Sequence, residues 1–131
     1  MKSMKNYLLM ILAAGMFAAC TKSGDISPVN LIGKWELSHR FGGNILPQDT
    51  TYKAGNGNIL QFNADSSFKQ YANGAVISSG SFHIHNGQLY FNTNAYNAQQ
   101  FYDMVSVSGN LLTIKPILGD IATTQYLKIG N

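Results

Sequence analysis

The chain has 131 residues and a formal net charge of +3 at pH 7, from nine Lys or Arg against six Asp or Glu. Two of the positive charges, Lys2 and Lys5, fall in a leader-like N-terminus, so the remainder is close to neutral. With Arg40 as the sole guanidinium and no Lys/Arg cluster interleaved with aromatics, the composition excludes nucleic acid as a partner.

Residues 1–19 have the layout of an export signal: Lys2 and Lys5, an apolar or small-residue run over 7–17, then Ala18-Ala19. The run is roughly half of the about 20 residues that a spanning helix needs. Cys20, the only cysteine, has no intramolecular partner in a disulfide-forming compartment. Phe17-Ala18-Ala19-Cys20 resembles the bacterial lipobox, with Phe17 where leucine is usual. That resemblance implies lipidation of Cys20 and attachment to the bacterial cell envelope, expected at the outer membrane; anchors of more than one acyl chain hold where single chains leak. Residues 20–30 are polar, contain Gly24 and Pro28, and read as the lipidated N-terminus and a flexible tether.

Residues 31–131 are enough for one domain. In 31–41 apolar and polar residues alternate around Trp35, the only tryptophan, as in a strand with one face on a core. Alternation assigns Leu31, Gly33, Trp35, Leu37, His39 and Phe41 inward, and Lys34, Glu36, Ser38 and Arg40 outward. The Gly-, Asn- and Thr-rich stretch 42–57 is a long first loop, expected to act as a lid. Short runs then follow at 59–63, 68–71, 76–85, 89–93, 100–107, 111–115 and 121–129. Asn73-Gly74 and Asn86-Gly87 mark two of the connections as tight hairpins, because both central residues of a type I′ turn need positive φ.

Eight sequential strands without a helical period predict an all-β fold, an antiparallel up-and-down arrangement. Closing the sheet into a barrel removes both unpaired edges; an open β-sandwich is the alternative. Leu60 and Phe62, Phe82 and Ile84, Leu89 and Phe91, and Leu112 and Ile114 are the expected inward pairs. Inward Met104 and Val107 would require a bulge between them.

Gly33-Lys34-Trp35, the hairpin at 62–68, a second at 80–91 and Leu112-Thr113-Ile114 resemble the lipocalins and the wider calycin group, and in particular the small lipocalin-like lipoproteins of bacteria. The resemblance implies an eight-stranded barrel, a long first loop over its mouth, and an apolar ligand inside. It also implies that Trp35 closes one barrel end beneath a cation from the last strand, for which Lys128 is the candidate where arginine is usual.

The chemistry-bearing residues point away from catalysis. His83 and His85 alternate with inward Phe82 and Ile84 and face outward, so they cannot converge with an inward His39 on a metal. Asp25, Asp49, Asp65 and Asp120 fall in the tether, the loop and turns, without the spaced pair of a glycosidase. Ser78, Ser79 and Ser81 lack a nucleophile elbow. The expectation is a non-enzymatic monomer, without metal or cofactor, that binds a small hydrophobic or amphipathic ligand through Trp35, Leu37, His39, Phe62, Phe82 and Phe91. The alternative is a filled barrel serving as an envelope protein- or glycan-interaction module through exposed tyrosines among Tyr52, Tyr71, Tyr90, Tyr96 and Tyr102.

Overall fold

The structure, a computed structural model, describes residues 26–43, 49–93, 101–117 and 121–131. The signal-like segment, Cys20, Asp25, residues 44–48 of the long loop, the 94–100 connection with Tyr96, and Asp120 lie outside the described residues, as do the side chains of Phe101 and Tyr102.

One helical turn, α1 (Pro28–Leu31), precedes β1 (Gly33–Phe41). The strands β2 (Asp49–Thr51), β3 (Ile59–Phe62), β4 (Ser67–Ala72), β5 (Ala75–His85), β6 (Gln88–Thr93), β7 (Phe101–Ser108), β8 (Leu111–Pro116) and β9 (Thr123–Gly130) follow. From β3 to β9 each strand pairs antiparallel with the next, and β1 pairs with β3 on one edge and β9 on the other. The β1–β9 ladder closes an eight-stranded barrel and excludes the open sandwich. β2 is an additional strand: it takes the edge of β1 from His39 to Phe41, beyond the stretch Gly33 to Glu36 that β3 occupies.

The hairpin chemistry is local. Asn73 and Gly74 have φ of 50° and 80°, Asn86 and Gly87 have 51° and 73°, the left-handed pairs that join β4 to β5 and β5 to β6. Cross-strand partners share a face, so Phe62 opposite Phe68, Phe82 opposite Phe91, Ile84 opposite Leu89 and Val105 opposite Ile114 set the inner wall. Their rings interlock edge to face, with centroids 4.8 Å apart for Phe62–Phe82 and for Phe68–Phe91.

One end of the barrel is sealed. Trp35 and Leu31 are 0% exposed, packed with Phe62, Phe82, Leu89 and Leu112. Leu31 is not strand, as the alternation suggested, but the last residue of α1, a turn too short to leave a helical period in the sequence. Its carbonyl accepts the Trp35 Nε1–H at 2.7 Å, which satisfies both buried groups. Ile26 also packs on this core, so ordered chain reaches into the segment read as tether. Lys128 Nζ stands 5.5 Å from the Trp35 ring centroid. Gly33 has no room for a side chain: a Cβ there would come within 2.6 Å of the Gly130 carbonyl and 2.9 Å of Lys128 Cε.

Two face assignments are corrected. On β1, Leu37 pairs with Tyr126 and His39 with Gln125, which leaves Ser38 as a bulge whose hydroxyl donates to the Gln125 carbonyl. An extra residue reverses the alternation. His39 and Phe41 therefore face outward, beside Gln125 and Thr123, and Arg40 faces inward opposite Thr124. On β7, Val105 and Val107 oppose the inward Ile114 and Leu112, while Met104 is 55% exposed on the outer face. No bulge is present between them.

Glu36 points outward as its position in the alternation requires, yet it is buried. The turn at 53–57 folds back over it, and its carboxylate accepts the backbone N–H of Gly55 at 2.8 Å and of Gly57 at 3.2 Å. Asn56 Nδ2 ties the same turn to the Leu37 carbonyl.

Candidate ligand-binding site

Above the aromatic layer the barrel is hollow. A cavity of about 290 Å³ opens at the end where β1, β4, β6 and β8 finish, opposite the Trp35 seal. Its volume lies just below the usual range for small-molecule sites, about 300–1,000 Å³. Its apolar lining is Leu60, Phe68, Phe91, Ile114, Pro116, Ile121 and Ala122, and interleaved with these are Gln70, Ser78, Thr93, Asp103, Thr124 and Tyr126. Small side chains leave room at this height: Ser78 stands opposite Gln70, and Thr93 stands opposite Gly80.

A smaller cavity of about 180 Å³ lies alongside, lined by Leu37, Arg40, Ile59, Tyr71 and Ile77 among others. It shares Leu60, Gln70 and Tyr126 with the larger one. Burial pushes the Tyr126 phenol up; the hydroxyl of Thr124 and the charge of Arg40 pull it down to a lesser extent. It stays protonated at neutral pH, a donor on the wall between the two spaces.

Asp103 is the group that the sequence reading passed over. It sits on β7 opposite inward Leu89, and burial alone raises its carboxyl above the ordinary value. Because the folded protein binds that proton more tightly than the unfolded chain, ionising Asp103 costs stability. The cost is absent below the unfolded-state range, about pH 4, grows as pH rises through the folded-state pKa, and is constant above it. Asp103→Asn is therefore expected to raise the melting temperature at pH 7, with the difference shrinking towards pH 3. Thermal unfolding of both proteins across that pH range checks it.

The residues expected to bind a ligand are divided by the fold. Phe91 lines the larger cavity and Leu37 the smaller. Trp35, Phe62 and Phe82 are buried in the seal beneath. His39 is outside the barrel, its Nε2 hydrogen-bonded to Asp49 and its ring 5.2 Å from Phe41. His83 and His85 are exposed on the outer face, with His83 stacked on Tyr90 at 4.8 Å. Of the stretch expected as a lid, residues 49–57 run along the β1 edge and the Glu36 carboxylate, and none of them lines the larger cavity. Among the described residues, no three of His, Cys, Asp and Glu come together to hold a metal ion.

The correct parity of β7 was available from its hairpin. Counting back from the turn at Ser108-Gly109-Asn110 pairs Val107 with Leu112 and Val105 with Ile114, and the next inward position is Asp103. In comparisons with protein-family models, with curated proteins and with solved structures, nothing matches this chain.

Proposed function

We propose that this chain is a lipocalin-like lipoprotein of the bacterial envelope, anchored at the outer membrane through Cys20, that binds one small hydrophobic or amphipathic molecule in its barrel without transforming it. The observation that carries the reading is the cavity of about 290 Å³, lined by both apolar and polar side chains, above a sealed aromatic floor. Such a wall suits a molecule with a tail and a head, because the tail removes apolar surface from water while the head keeps its hydrogen bonds. Trp35 and Lys128 serve as the closing pair, outside the binding wall.

Native mass spectrometry of protein extracted from cells tests it. A retained small molecule is expected, and its absence together with failure to take up any amphipathic compound would refute the reading. The anchor rests on Phe17-Ala18-Ala19-Cys20. Cys20→Ala is expected to release the protein from the membrane fraction on cell fractionation; unchanged association would remove the lipobox reading.

A second reading, an envelope protein- or glycan-interaction module, is favoured by a groove of about 340 Å³ on the outer surface, lined by Phe41, Met104, Thr113, Lys115 and Thr123 among others. A crosslinker placed at Met104 in intact cells would capture a reproducible partner under that reading, and none under the first.

A further inference from the structure

The cavity combines a neutral polar wall with one carboxylate. Ser78, Thr93 and Thr124 offer hydroxyls, Gln70 an amide, and Tyr126 a phenol, all able to donate or accept. Asp103, when ionised, only accepts. Among the described residues its carboxylate has neither a hydrogen-bond donor nor a cationic partner. The inward Arg40 lines the neighbouring cavity, which shares Tyr126 with this one.

Three head groups can be compared on this wall. A carboxylate or phosphate head would meet Asp103 as a like charge, which disfavours it in a partly desolvated site. A neutral head would leave the Asp103 carboxylate covered by the ligand without a counter-charge, a costly arrangement. An ammonium brings three donors and a positive charge, so Asp103 accepts one bond and hydroxyl oxygens elsewhere on the cavity wall can accept the others.

Resting on the barrel-binding reading above, we propose that the ligand is an amphipathic primary amine, its ammonium held by Asp103 and its apolar tail against Leu60, Phe68, Phe91 and Ile114. The carboxylate selects the head, and the aromatic floor limits the length of tail.

Titration calorimetry of the full chain and of Asp103→Asn, in one detergent buffer at pH 7, with n-hexylamine, n-hexanol and hexanoate tests the assignment. Comparing the two proteins with the same compound cancels any partition of that compound into detergent. Hexylamine is expected to bind wild type about tenfold or more tightly than the variant. Hexanol is expected to bind Asp103→Asn at least as tightly as wild type, because the substitution removes the carboxylate that a neutral head would cover. Equal hexylamine affinity in the two proteins, or tighter binding of hexanoate than hexylamine to wild type, would overturn the amine assignment while leaving a ligand-binding barrel. If none of the three binds wild type, the barrel-binding reading falls with it.

Discussion

Trp35→Ala is expected to destabilise the protein by about 3–5 kcal/mol, the cost of emptying a fully buried aromatic site that cannot collapse. Trp35 is 0% exposed, and its neighbours are fixed on the flanking strands: Leu60 and Phe62 on β3, Lys128 on β9. None of them can fill the space without breaking a ladder. The substitution also strands the Leu31 carbonyl, which accepts the indole N–H at 2.7 Å. Trp35→Phe separates the two losses, since it keeps most of the volume but not the donor. It is expected to cost about 1–3 kcal/mol, as for a buried acceptor left unpaired. Against a total stability of about 5–15 kcal/mol the alanine variant loses a large share of its margin. Urea unfolding followed by far-ultraviolet circular dichroism measures both.

Gly80→Ala should be nearly as severe, about 3 kcal/mol or more, for the opposite reason. A Cβ at position 80 would lie 1.9 Å from the Asn92 carbonyl oxygen, 3.0 Å from its carbon and 3.1 Å from Thr93 Cα. All three atoms are backbone of β6, so no rotamer change relieves the contact and the β5–β6 ladder must open. Gly130, where a Cβ would meet nothing within 4 Å, provides the control. Gly130→Ala is expected to fall within about 0.5 kcal/mol of wild type. The same urea measurement distinguishes a steric effect at position 80 from a general cost of removing glycine.

The strands and their order were legible because their signals are local. Asn-Gly pairs demand left-handed backbone at Asn73-Gly74 and Asn86-Gly87, and period-two runs on either side set the hairpins. The faces were legible only until the pattern was interrupted. Ser38 carries no mark of a bulge, because the register shift between Leu37 and His39 belongs to the ladder with β9, a pairing of residues far apart in the chain. One unpaired residue then exchanged His39 for Arg40 on the inner wall. β7 was ambiguous in a different way: Phe101, Val105 and Val107 on one parity compete with Tyr102 and Met104 on the other, so apolarity could not choose. The choice decides the site, since the correct parity brings Asp103 inside.

Glu36 shows a third kind of limit. Alternation placed it outward correctly, but an outward residue is wet only if nothing lies over it, and the 53–57 turn covers it with two backbone donors. The lid expected of the same loop rested on its length alone. Length does not specify where a loop docks, and here one carboxylate holds its second half against the outer wall.

The central claim is that the space above the aromatic floor receives a ligand, and a titration in which only that space is altered tests it most directly. Ser78 lines the larger cavity opposite Gln70, so Ser78→Trp would place an indole in the space that a ligand must occupy. An environment-sensitive hydrophobic dye should bind wild type saturably, one per chain, and should fail to bind Ser78→Trp at an unchanged melting temperature. Equal binding by the two proteins, or no saturable binding to wild type, would contradict a binding site inside the barrel.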